Sequence, residues 1–172
     1  MQRIADAWAE TERTWLANLV PIVRNLYSEV LLLAAENSAP VLEQADRLAT
    51  ATSVETRSSG MIRSEIAAHS LRSRILLRQG DIEGAVEHAG IAVGILDEVG
   101  DMPALRSEEV LYHSAVALAA AGTAEEARAL LERARQAVGR KADRLTDAAQ
   151  RERFLSDVTL NRWITEGTDV EC

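Results

Sequence analysis

Three histidines, His69, His88 and His113, are the side chains best suited to proton transfer or metal ligation in this chain. None stands at metal-ligand spacing from a cysteine, an aspartate or another histidine on one predicted helix, so no metal site is expected. His69 and His113 fall on neighbouring first helices and are placed to meet, though edge packing accounts for both without chemistry. The acid pairs Glu108-Glu109 and Glu125-Glu126 sit at predicted helix starts, where capping and the helix dipole explain them. Gly90 and Gly94 lie inside a predicted helix rather than ahead of one, which is no phosphate loop; close helix contact is their expected role. No serine occupies a nucleophile elbow. These patterns point to no catalytic residue, no metal and no cofactor, and an enzyme ranks third among the functional readings.

The elements that would position these side chains are helices. Apolar residues make up 47% of the 172 and aromatics only 3%, so alanine, leucine and valine must build a core of closely packed helices. A first helix is expected within residues 1–20, with Ile4, Trp8, Trp15 and Leu19 on one stripe. A hairpin over 21–50 opens at Pro21 and turns at Asn37-Ser38-Ala39-Pro40, with Ser38 as N-cap. Residues 49–60, small and polar and closed by Gly60, read as a loop. A second hairpin spans 61–99 and turns at Gly80-Asp81. A third spans 104–145, with Asp101 capping its start and a Thr123/Glu126 capping box at its corner. A last helix over 147–164 caps the end. No stretch alternates as a strand should, so the chain is all-α and forms one helical-repeat domain over 1–172.

Charge narrows the partners. Nineteen basic against twenty-seven acidic residues leave a net charge of −8, which disfavours nucleic acid and anionic membrane. No apolar run approaches the roughly 20 residues that span a bilayer. Residues 1–20 carry Asp6, Glu10 and Glu12, which is not the pattern of a signal peptide. The single cysteine, Cys172, has no partner, and a cytoplasmic location is expected.

The second and third hairpins resemble tetratricopeptide (TPR) repeats. Ser73 and Ala115 take the small position on the first helices, and Leu76 and Leu118 the large one that follows. Gly80 and Gly122 mark the corners, while Ala85 and Ala127, then Ala92 and Ala134, take the close crossings. The corner spacing exceeds the family's usual ~34 residues, which implies long-helix repeats. Arg72 stands where the family usually has leucine. The first hairpin is similar to a degenerate repeat, with Asn37 in place of the corner glycine and Ala49 at the last crossing. The segment Gln150–Ile164 resembles the F-L-x-x-V-x-x-N-R pattern that follows the last TPR hairpin in large bacterial signalling proteins.

The resemblance implies a TPR-like, right-handed α-α superhelix of antiparallel helix pairs with a C-terminal capping helix. It also implies a protein- or peptide-binding module, the C-terminal sensor or interaction region of a multidomain signal-transduction or transcriptional regulator. In such a stack the first helices line a concave groove. By corner register that groove takes Arg24 and Tyr27 from the first hairpin, Ser70, Arg74 and Arg78 from the second, and Glu109 and Tyr112 from the third. Arg74 and Arg78, one turn apart, point the same way and suit a carboxylate or an acidic peptide. The partner is then a protein, a peptide or an attached domain of the same chain. Trp8, Trp15 and Trp163, near the two ends, serve as end-cap packing or as an interface. The alternative function is a free-standing adaptor that homodimerises through its terminal helices.

Overall fold

The computed structural model describes residues 19–36 and 38–167, together with Arg3, Asp6, Ala9 and Glu10. Trp8, Trp15 and Asn37, and most of the expected first helix, lie outside the described residues. The described residues form eight helices in the order α1 (Val20–Ala34), α2 (Ala39–Ser59), α3 (Ile62–Gln79), α4 (Ile82–Val99), α5 (Ser107–Ala120), α6 (Ala124–Ala142), α7 (Ala148–Ser156) and α8 (Thr159–Glu166). Among them there is no strand, and no helix is long and apolar enough to cross a membrane. The fold class is all-α.

Two of the corners are built alike. Gly80 and Gly122 hold φ of +83° and +80°, a conformation that costs glycine little and other residues more. The next amide then reaches back to a carbonyl of the preceding helix's last turns, Asp81 N–H to Leu76 O at 2.9 Å and Thr123 N–H to Leu118 O at 3.0 Å. Asp81 also caps α4, its carboxylate accepting from Gly84 N–H at 2.9 Å. The expected capping box at Thr123 is not made. The Thr123 hydroxyl instead donates to Leu118 O at 2.9 Å, so it serves the helix that ends there and not the one that begins. The two corners should therefore respond differently to truncation. Asp81→Ala is expected to cost about 1 kcal/mol and Thr123→Ala under about 0.5 kcal/mol, read from urea unfolding midpoints.

Three further boundaries depart from expectation. Residues 49–59 belong to α2 and are not a loop. Thr52, Thr56 and Ser59 donate their hydroxyls to carbonyls one turn earlier, and Ala49, Thr52 and Thr56 are fully buried. Local polarity is thus satisfied within the helix, and packing decides the outcome. The third hairpin begins at Ser107, three residues late, because Ala104 adopts φ +60°. Asp101 does not cap it; its carboxylate accepts from the Ser107 hydroxyl at 2.6 Å. The final helix is interrupted at Asp157-Val158, where Val158 is extended, and Asn161 Nδ2 donates across the break to Phe154 O at 2.9 Å. Ser38 precedes α2 as expected, without a side-chain capping bond.

Short connections make consecutive helices neighbours. α1 packs on α2, α3 on α4 and α5 on α6. α1 also packs on α3 and α3 on α5, so these three form one layer, with α2, α4 and α6 behind them. Small side chains let the hairpins close: Ser73, Ala85, Ala92, Ala115, Ala127 and Ala134 are all buried. The core divides into a cluster around Leu31, Leu42, Leu71 and Ile75 at one end and another around Ile66, Leu111, Val138 and Ile164 at the other. Ile164, fully buried, is how α8 seals the second cluster against α6. Gly90 and Gly94 do not make the expected close contact. A Cβ at either would meet nothing within 4 Å.

Candidate functional site

The face shared by α1, α3 and the start of α5 carries a cavity of about 370 Å³. Its apolar wall includes Ile22 and Leu26 of α1, Ala67 and Leu71 of α3, Leu105 of the Gly100–Arg106 segment and Val110 of α5. Leu26 is 49% exposed, which an apolar residue beside an open cavity would be. α1 is fixed here by two buried polar contacts. Asn25 Nδ2 donates to Ser64 O at 2.9 Å, and the Ser28 hydroxyl donates to Ala45 O at 2.8 Å. Ser64's carbonyl can only accept, so the Asn25 amide has one possible orientation.

Charges cross the cavity in an alternating line. Arg74 Nη1 lies 3.2 Å from Glu29 Oε1 and 3.6 Å from Glu109 Oε1, tying α3 to both α1 and α5. Arg106 Nη1 lies 3.2 Å from Glu109 Oε2, and its Nε lies 3.8 Å from Glu108. Behind this line Lys141 of α6 pairs with the buried Glu108. Burial pushes the Glu109 carboxyl above its usual range; Glu29 and Glu108 push the same way, while Arg106 and Arg74 hold it back. His113 Nε2 stands 3.9 Å from Glu109 Oε1. Burial, with Arg74 and Arg106 nearby, lowers the His113 pKa well below the ordinary histidine value, so it faces Glu109 uncharged at neutral pH. The arrangement offers guanidinium donors beside an apolar wall, which is chemistry for holding an amphiphile.

Of the residues placed in the groove from sequence, Ser70, Arg74 and Glu109 line this cavity and the structure brings them together. The others are elsewhere. Arg24 turns to α2 and pairs with Glu55 at 2.7 Å. Tyr27 packs against the cluster around Leu31 and Leu71. Tyr112 is 2% exposed and belongs to the core. Arg78 donates to Glu36 O at the corner of the first hairpin, in a separate depression with Leu42, Asp46 and Arg47. Arg74 and Arg78 thus do not act as a pair, and Arg74 is already neutralised by two carboxylates. Sequence reasoning missed Asn25, Leu26, Glu29, Arg63 and Arg106. For Glu29, Arg63 and Arg106 the only signal is the mix of arginine and glutamate across helices, invisible until the helices are placed; Asn25 and Leu26 carry none. Trp163 is 38% exposed on α8, and Trp8 and Trp15 lie outside the described residues.

The histidines assort differently from the expectation that His69 meets His113. His69 of α3 meets His88 of α4: their Nδ1 atoms are 2.9 Å apart and the rings stack with centroids 5.1 Å apart. Both are 8% exposed. One Nδ1 must carry the hydrogen and the other accept it, so the contact requires different tautomers or a single shared proton. Burial lowers the His69 pKa to about 4, with His88, Arg72 and Arg57 adding to the effect. Burial and Arg72 also lower His88, against Glu87, Asp46 and Asp81. Among the described residues no three His, Cys, Asp or Glu side chains are grouped to hold a metal ion. Comparison of the chain with protein-family models, with curated proteins and with solved structures returned no match.

Proposed function

We propose that this chain is a non-catalytic, TPR-like module that binds a protein or peptide partner across the face of α1, α3 and α5. In this reading it is the interaction or sensor region of a multidomain bacterial signalling or transcriptional regulator, acting in the cytoplasm. The observation that carries it is the continuous layer of first helices, with an open, part-apolar cavity where α1, α3 and α5 meet. Support for the repeat character comes from the matched corner bonds at Gly80-Asp81 and Gly122-Thr123 and from the buried alanines that follow each. Binding would be non-covalent, with the partner bridging α1 and α5 and so coupling the outer hairpins. A photo-crosslinking residue at Ala67, on the cavity wall, should then capture a discrete partner in cells, and one at Gly90, on the open face of α4, should not. Equal capture at both positions would remove the groove from the reading.

A second reading, a self-associating adaptor, is favoured by one feature. Leu19, the N-cap of α1, and Leu26 and Leu33 within it recur at seven-residue spacing and are 44%, 49% and 69% exposed. A stripe of that kind suits a second helix. Sedimentation at rising concentration separates the readings, since a monomer at high micromolar concentration counts against the adaptor.

A further inference from the structure

We propose that the cavity between α1, α3 and the Gly100–Arg106 segment is a binding site for a small amphiphilic carboxylate, its chain against Leu26, Leu71 and Leu105 and its head at Arg63 and Arg106. This goes beyond the partner-binding reading and does not rest on it. The size fits: about 370 Å³ lies within the range of small-molecule sites.

The charge fits as well. Three guanidiniums line the cavity, those of Arg63, Arg74 and Arg106, against two carboxylates, those of Glu29 and Glu109. A local cationic excess runs against a chain of net charge −8. Arg74 is held deep between the two carboxylates, its side chain 17% exposed, and is not the group that meets a ligand first. Arg106, 53% exposed, stands at the mouth. Arg63, also exposed, has no carboxylate partner among the described residues and donates to the carbonyl of Pro103 at 3.1 Å. Two exposed guanidiniums thus flank a wall of leucines, and a carboxylate on an apolar chain satisfies both halves at once.

The backbone adds a third observation. Ala104, next to the Pro103 whose carbonyl Arg63 holds and two residues before Arg106, adopts φ +60°, a conformation alanine takes at a cost. It and Leu105 line the cavity, so the strain shapes the wall itself. Glu109 already holds Arg106 at 3.2 Å, which makes it the internal competitor of the incoming head group.

The test uses the whole chain and three probes of equal length: octanoate, octanol and octylammonium. In titration calorimetry octanoate should saturate one site with a Kd below about 1 mM, octanol should bind at least ~10-fold more weakly, and octylammonium should not saturate. The double variant R63Q/R106Q, with both changes exposed, should weaken octanoate about 10-fold or more and leave octanol within about two-fold. Glu109→Gln should tighten octanoate several-fold by removing the competing carboxylate. Equal affinity for octanoate and octanol, no saturation by octanoate, or an unchanged Kd in R63Q/R106Q would each overturn the proposal. Ala67 lines the same cavity, but the crosslink there reports a macromolecular partner and the calorimetry a small carboxylate, so the two readings fail separately.

Discussion

Acidification from pH 7.5 to 4.5 should weaken the fold by about 2–3 kcal/mol through the His69–His88 pair, in which burial and then His88 lower the His69 pKa from 6.5 to about 4. The sign follows from which form the fold prefers. Burial disfavours the imidazolium, so the folded chain holds His69 neutral while the unfolded chain protonates it near 6.5. Stability is therefore full above pH 6.5 and is lost as pH falls from there towards 4. His88 and His113 are lowered too and act in the same direction. Protonating both members of the 2.9 Å His69–His88 contact would set two N–H groups against each other, which sharpens the loss. Glu109 acts oppositely. Its carboxyl is raised, so its contribution is present below the unfolded value and is lost as pH rises through the folded one. Urea titrations at pH 7.5, 6.0 and 5.0 measure the slope, and the ring protons of His69 should titrate near pH 4. A stability unchanged between pH 7.5 and 5.0 would count against buried neutral histidines.

Arg74→Ala should cost about 2–4 kcal/mol, the second large effect, because it leaves Glu29 and Glu109 facing a half-buried space with no charge between them. Arg106 remains to hold Glu109 but reaches no carboxylate of α1. Arg74→Met combined with Glu29→Gln and Glu109→Gln should restore most of the loss, since the cost lies in the unpaired carboxylates rather than in the missing cation. A thermodynamic cycle across the three positions measures this coupling. If Arg74→Ala alone costs under about 0.5 kcal/mol, the line of charges is a solvated surface feature.

What the sequence made legible was turn chemistry. Gly80-Asp81 and Gly122 announced their corners because few residues tolerate that backbone conformation, and the helices on either side followed. The stretch from Ala49 to Ser59 was opaque for the opposite reason. Threonine and serine disfavour helices by offering hydrogen bonds to the local backbone, and here those bonds are made inside the helix. The cavity was half legible. On α3 and α5 the corner register put Ser70, Arg74 and Glu109 in place. On α1 that register takes Asn37 as the corner, whereas Glu36 already turns left-handed, with φ +46°. One residue rotates a helix face by about 100°, which exchanges Tyr27 for Leu26 and leaves Arg24 on the side of α2. The unexpected break at Asp157-Val158 has a different source, a side-chain hydrogen bond from Asn161 back across the break to Phe154 O.

The open face of α4 offers a practical handle. Gly90 and Gly94 lie in mid-helix with free space where a side chain would stand. Alanine at either should stabilise the chain by about 0.5–1 kcal/mol, by restricting the unfolded chain and favouring the helix. The double change G90A/G94A would supply a reinforced background remote from the cavity. Variants such as Arg74→Ala could then be assayed for ligand or partner while still folded, and loss of recognition could be told from loss of structure.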